Sequence, residues 1–305
     1  MATSGTNSFA LDLNDIIEEA YERTGIEVRT GYQYRTARRS FNLLTIEWAN
    51  RGINLWTIEQ GQIVMNTGQI TYPIPIDTID LLDHVVRTGS DTTQIDININ
   101  RVSESTYSTY PNKNATGRPI QVWINRQTGS SYVTSITLAS TILSTDTTIT
   151  LSSTNGLPAT GFITLDNEVI LYQNVSGNQL LNCFRGQNNT TAAGHSSGAV
   201  VTVNNLPSIN VWPSPNAPGN QYTFVYWRLR RLQDAGDGTN TPDIPFRLVP
   251  CLVAGLAYYL GVKSPEVPPD RIGMLKADYE QQWEFASTED REKAANRYVP
   301  RMVLY

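Results

Sequence analysis

The sequence predicts an α+β fold: a helical bundle built from the N- and C-terminal helices, a β-rich middle, and a small all-β domain, sandwich or barrel, inserted into that middle. Three observations carry this. Near both ends apolar residues recur at helical spacing, whereas between them they alternate in short runs. Residues 128–206 hold only four charged residues, Asp146, Asp166, Glu168 and Arg185, and no lysine. After residue 206 the earlier style of sequence resumes. The predicted organisation is therefore a discontinuous body, 1–127 with 207–297, an inserted β-domain at 128–206, and an extended tail at 298–305.

In chain order, Ile16, Ile17, Ala20 and Tyr21 mark the inner face of a first helix. Asn14 is its expected N-cap and Gly25 its stop. A second helix is expected from about Tyr32 to Arg51. Tyr34, Ala37, Phe41, Leu44 and Trp48 form its apolar stripe, and Gly52 ends it. The short link predicts that these two helices pair antiparallel. Arg35, Arg38 and Arg39 gather away from the stripe. They fit either a solvated face paired with Glu18, Glu19 or Glu22, or a contact with an acidic partner or DNA.

Asn66-Thr67-Gly68, between Ile63–Met65 and Ile70–Tyr72, reads as a hairpin. Strands are expected at Leu81–Arg87, at Ile95–Asn100 with Ile95, Ile97 and Ile99 on one face, and at Ile120–Asn125. In the insert, alternating runs at 133–138, 148–151, 161–165, 168–172, 180–183 and 199–203 are separated by turns at Asn155-Gly156 and Ser176-Gly177-Asn178. A strand follows at Tyr222–Leu232. Pro245 then opens a helix from Phe246 to Leu260 that is apolar almost all round, hence buried, and at about 15 residues too short for a bilayer. Asp270 is expected to cap a last helix with Ile272, Leu275, Tyr279, Trp283 and Ala286 inward.

Composition excludes several classes. Of 305 residues only 17% are charged, against about 25% in an ordinary globular chain. Uncharged polar residues, 34 Thr and 25 Asn, fill the gap. The net charge of −5 argues against a protein that grips nucleic acid over its whole surface. Two cysteines, Cys183 and Cys251, are too few for a disulfide framework and are expected to be reduced and buried. Without a run of 18 apolar residues or a secretory leader, no membrane partner is expected.

The search for chemistry predicts no enzyme, metal or cofactor. The two histidines, His84 and His195, lie in an alternating run and in a Gly/Ser-rich loop. No Walker A, G-x-S-x-G or H-E-x-x-H motif occurs. Asp166 and Glu168, two residues apart, have the makings of a glycosidase pair. A solvent-facing strand edge explains them more simply. Asp234, Asp237 and Asp243 lack EF-hand spacing.

Three stretches together carry a resemblance. They are Trp48-Ala-Asn-Arg-Gly-Ile-Asn-Leu-Trp56 after the helical pair, then Tyr72-Pro-Ile-Pro-Ile-Asp77 through Gly117-Arg118-Pro119, then Val211-Trp-Pro-Ser-Pro215 through Asp243-Ile-Pro245 and the apolar helix. In this order they resemble the head-to-tail adaptor of short-tailed (podovirus) bacteriophages, over residues 10–127 and 207–262. The resemblance implies a structural virion protein at the head-tail junction, assembled in the host cytoplasm as a dodecameric ring. That ring would join the portal protein to the tail nozzle protein and continue the channel through which double-stranded DNA passes. It also implies an extended C-terminal segment on the portal or a neighbouring subunit. Tyr298, Val299, Met302, Val303, Leu304 and Tyr305 match it in position and character. The insert departs from compact members. Gly161–Glu168, Arg185-Gly186-Gln187, Thr191–Ala193 and His195 resemble a small β-module of phage virion proteins, with tail fibres among its conceivable partners. A tail fibre or glycan-binding β-protein is the alternative, which accounts for the insert but not for the helical ends.

Overall fold

The computed structural model describes residue 5 and residues 9–216 and 222–291. In chain order these form α1 (Leu13–Thr24), α2 (Gly31–Arg51), β1 (Ile58–Val64), β2 (Thr71–Pro73), β3 (Thr78–Thr88), β4 (Ile95–Asn98), β5 (Asn100–Arg101), α3 (Glu104–Ser108), β6 (Thr116–Gly117) and β7 (Gln121–Asn125). The inserted stretch contributes β8 (Ser131–Thr137), β9 (Ile149–Thr150), β10 (Gly161–Leu165), β11 (Glu168–Tyr172), β12 (Asn174–Ser176), β13 (Gln179–Leu181), β14 (Phe184–Gln187) and β15 (Val200–Asn204). The chain continues through β16 (Ser208–Trp212), β17 (Ser214–Pro215), β18 (Thr223–Arg230), α4 (Val249–Lys263) and α5 (Pro269–Glu289). The fold is mixed α+β, as the two periodicities predict. The described residues divide into a helical unit, up to Ile58 and from Arg231 onward, and a β-unit, Glu59–Arg230.

In the helical unit α1 starts two residues earlier than Asn14 suggests. Asp12 is the N-cap, in a reciprocal capping box with Asp15. Thr30 and Gln33 form the same device on α2. Gly25 and Gly52 end the two helices in left-handed conformation, at φ 82° and 91°, where a side chain is strained. The expected antiparallel pairing of α1 with α2 is replaced by another arrangement. Both pack mainly on α4, as does α5, and scarcely on each other. The reason lies in α4: its residues Cys251–Ala257, Leu260 and Gly261 are buried, so it accepts a partner on every side. Leu13, Ile17, Phe41, Leu44, Trp48 and Trp283 close one core around it. Gly255 lets this happen. A Cβ there would lie 2.9 Å from Tyr279 and 3.0 Å from Leu44. With its preceding 3₁₀ turn the segment Phe246–Lys263 reaches 18 residues, longer than the sequence suggests. Length and composition alone would let it cross a membrane; burial inside the helical unit accounts for its apolarity. Pro268 and Pro269, not Asp270, open α5, with Asp270 in its first turn.

In the β-unit two four-stranded sheets, β1-β18-β3-β4 and β2-β16-β7-β5, share a core that includes Met65, Tyr72, Leu81, Val122, Ile209 and Phe224. The expected 63–72 hairpin does not form. β1 joins β18 in one sheet and β2 pairs β16 in the other. The 66–70 bend therefore crosses between facing layers, and Met65 and Tyr72 meet in the shared core rather than side by side in one sheet. The strand expected over Ile95–Asn100 likewise splits. β4 pairs β3, β5 pairs β7 in the other sheet, and Ile99 between them is buried while Ile95 is 60% exposed.

Six of the insert's strands fall on the alternating runs; β12 and β14 were not foreseen. A five-stranded sheet, β14-β11-β10-β15-β8, and a three-stranded sheet, β12-β13-β9, enclose Ile149, Ile163, Ile170, Tyr172, Leu180 and Val201. The insert has its own core and lies within the β-unit, Glu59–Arg230. Incoming β7 and outgoing β16 pair with each other, Ser208 opposite Asn125. The paired strands run on into β8 and β15, Asn204 opposite Ser131. The two segments that join the insert stay side by side between these ladders, Gly129 donating to the Asn205 carbonyl and Asn205 to the Ser130 carbonyl. Gln173 ties the insert back by accepting from the Ile70 N–H at 2.9 Å and donating to the Gly68 carbonyl at 3.2 Å.

Candidate functional site

The densest cluster of ionisable groups grows from the β10–β11 hairpin. Asp166 occupies its turn at φ 50°, which leaves its side chain 63% exposed. Glu168 follows at the start of β11 and is only 2% exposed, so the strand-edge reading is wrong for it. Its carboxylate accepts from Arg185 Nε at 2.9 Å and Arg185 Nη2 at 2.8 Å. The Gly186 and Ala193 N–H groups donate to it at 2.9 and 3.0 Å. His195 Nε2 lies 2.8 Å away, and His195 Nδ1 lies 2.7 Å from Asp166. Arg185 also donates to the carbonyls of Leu143, Asp146 and Ala193.

Burial by itself would raise the Glu168 pKa. Hydrogen bonds from Arg185, Ala193, His195 and Gly186 outweigh it and hold the carboxyl at about 2. Both its oxygens are engaged by four N–H donors of Arg185, Gly186 and Ala193, with His195 Nε2 alongside, so the pair Asp166/Glu168 does not present two free carboxylates across a substrate cleft. The motif residues Glu168, Arg185, Ala193 and His195 form an ionic knot that pins the irregular 185–195 loop to the hairpin. This is an architectural role.

The other sequence candidates disperse. Asp234 and Asp237 accept from the N–H groups of Gly236 and Thr239, each closing a local turn, whereas Asp243 accepts from the Gln233 N–H ten residues earlier. Among the described residues no group of three His, Cys, Asp or Glu side chains has metal-binding geometry. His84 stacks on Phe224 with both ring nitrogens buried and without a hydrogen-bond partner. Its burial, with Arg101 nearby, depresses its pKa. Cys183 and Cys251 are free and buried, and burial pushes each thiol up to about 12.

The motifs behind the resemblance are structural joints. Trp48 donates to the Tyr279 hydroxyl at 3.2 Å, and Trp56 to the Asp243 carbonyl at 3.0 Å. Arg51 lies 3.8 Å over the Trp283 ring, and Asp290 accepts from the Asn54 and Leu55 N–H groups. Trp212 donates to the Asn112 carbonyl at 2.9 Å.

The basic cluster on α2 divides. Arg35 and Arg39 are exposed, whereas Arg38 turns toward the 236–240 loop, where its guanidinium lies against Gly238. None of the three pairs with Glu18, Glu19 or Glu22: Glu19 bonds Arg23, and Glu18 accepts from the Tyr34 hydroxyl. Arg35 and Arg39 share their outer stripe with Tyr32, Leu43 and Ile46, which are 65%, 52% and 57% exposed. This second apolar stripe escaped the sequence reading, although its spacing of 11 and 3 residues is visible there. Tyr298, Val299, Met302, Val303, Leu304 and Tyr305 lie outside the described residues.

No family model matches the chain, and no curated protein matches it.

Proposed function

We propose that this chain is a non-enzymatic head-to-tail adaptor of a short-tailed bacteriophage virion. In this reading copies assemble, in the host cytoplasm, into a closed ring of twelve that joins portal to tail nozzle and continues the DNA channel. The observation that carries it is the separation of roles along the chain. Helices from before Ile58 and after Arg231 enter one helical unit around α4, while residues 59–230 make a β-unit of their own, so one protomer offers a helical and a β surface to two different partners. The tail at 298–305 is the expected portal or neighbour contact, and the insert a contact for fibres. A net charge of −5 suits a lumen that DNA slides past. The test is native mass measurement of the purified chain with and without its portal. A ring that binds portal is the expected result; a monomer indifferent to portal refutes it.

A second reading, glycan binding by the β-unit, has one observation in its favour. A groove of about 700 Å³ is lined by Gln62, Asn66, Gln187, Asn188 and Asn189 and by no charged side chain. Amides both donate and accept, as sugar hydroxyls require. Binding to host-surface glycans that is lost on deleting 128–206 would favour this reading, and a glycan array without a hit removes it.

A further inference from the structure

The helical unit carries two exposed surfaces of opposite character that share no residue. The first is the outer stripe of α2. Positions 32, 35, 39, 43 and 46 fall within about 80° around a helix that turns 100° per residue. Tyr32, Leu43 and Ile46 there are more than half exposed, and Arg35 and Arg39 make no ion pair among the described residues. The second is a groove of about 630 Å³ between α1 and the start of α4. Leu11, Val249 and Val253 line it with Phe9, which is 80% exposed; Asp15, Glu18 and Glu22, all exposed, stand along it, and Arg23, which also lines it, is paired with Glu19 at 3.0 Å. Their opposite side of α1 is the core face of Leu13, Ile16, Ile17 and Ala20, so these acids cannot turn inward.

A ridge that is apolar and basic matches a groove that is apolar and acidic. Among the described residues neither Arg35 nor Arg39 pairs with Glu18 or Glu22 within a protomer, where Glu18 accepts from the Tyr34 hydroxyl instead. We propose that the α2 stripe of one copy docks into the α1/α4 groove of a second copy, with Arg35 and Arg39 against Glu18 and Glu22. Such a contact uses two different patches. It is heterologous, and it closes into a ring or propagates as a filament. The charges set partner orientation, while Tyr32, Leu43, Ile46 and Phe9 supply the apolar area. This inference rests on the ring reading and names the surfaces that would build the ring.

The test is a charge swap on the full chain, read by native mass spectrometry and sedimentation velocity. Arg35→Glu with Arg39→Glu, and separately Glu18→Lys with Glu22→Lys, each weaken self-association by about tenfold or more. An equimolar mixture of the two variants restores it, because each then offers the charge its neighbour lacks. Circular dichroism confirms folding, and the milder Arg35→Gln with Arg39→Gln pair repeats the measurement without like-charge repulsion. Raising salt from 0.1 to 1 M, which shortens the screening length from about 10 to about 3 Å, dissociates the wild type. Variants that assemble as the wild type does, or a mixture no better than its components, overturn the assigned surfaces and leave the ring reading intact. A wild type that stays monomeric with and without portal overturns both.

Discussion

Replacing Glu168 by glutamine tests the ionic knot with almost no change of shape. The carboxylate now accepts four hydrogen bonds from Arg185, Gly186 and Ala193, and His195 Nε2 lies 2.8 Å from it. A glutamine turns one of its oxygens into an NH₂ that meets donors, and it leaves the Arg185 guanidinium, 7% exposed, without its counter-charge. Breaking a buried pair by removing one partner costs roughly 3–5 kcal/mol. A second route gives a similar figure. The folded carboxyl titrates at about 2 against an ordinary 4.5, and that difference corresponds to roughly 3 kcal/mol. The sign follows from the depressed pKa. The contribution is fully present above pH 4.5 and is lost as pH falls toward 2. The assay is hydrogen exchange of peptides spanning 161–187, corrected for intrinsic rates. The Glu168→Gln chain at pH 7 should lose roughly 10²–10³-fold of protection there, and the wild type should lose it on acidification from pH 4.5 toward 2. Protection within a factor of ten of wild type, or an equally steep acid response in the variant, would refute the knot's role.

Three other outcomes are expected. Gly255→Leu places a side chain where Tyr279 and Leu44 already stand, and should destabilise the helical unit by about 1–3 kcal/mol in denaturant unfolding followed by tryptophan fluorescence; an unchanged midpoint contradicts the close approach. Thr30→Ala removes the acceptor for the Gln33 N–H at the start of α2 and should cost about 1 kcal/mol, read as a lower melting midpoint by circular dichroism. Cys183 and Cys251, with thiols raised to about 12, should resist a disulfide-exchange reagent at pH 8 until denaturant is added; rapid reaction of the native chain would show that either thiol is accessible.

Much of the local structure was legible because its causes lie within a few residues. Gly25 and Gly52 stop helices by adopting positive φ, and the runs at 161–165 and 168–172 become β10 and β11 with the same boundaries. The 3–4 spacing of Ala37, Phe41, Leu44 and Trp48 announces the buried face of α2. Legibility ended where partners are distant. The turn at Asn66-Thr67-Gly68 is consistent with a hairpin, yet the ladders it feeds are completed by strands about 140 and 160 residues further on. Glu168 reads as a surface residue until Arg185 and His195 are folded over it, since only a paired charge tolerates burial.

By itself, the sequence determined where helices and strands form, which faces are apolar, and that residues 128–206 differ in kind from the rest. Periodicity and end-capping are properties of short segments, and they survive whatever the remainder of the chain does. Tertiary structure alone decided that α4 is the hub on which α1, α2 and α5 pack, and that β4 and β5 part company at Ile99. It also decided that strands flanking the insert pair with each other, β7 with β16 and β8 with β15. Each of these depends on which apolar face finds which partner, and many segments carry apolar faces that are interchangeable in one dimension. Only simultaneous packing, with every buried polar group satisfied, selects among them.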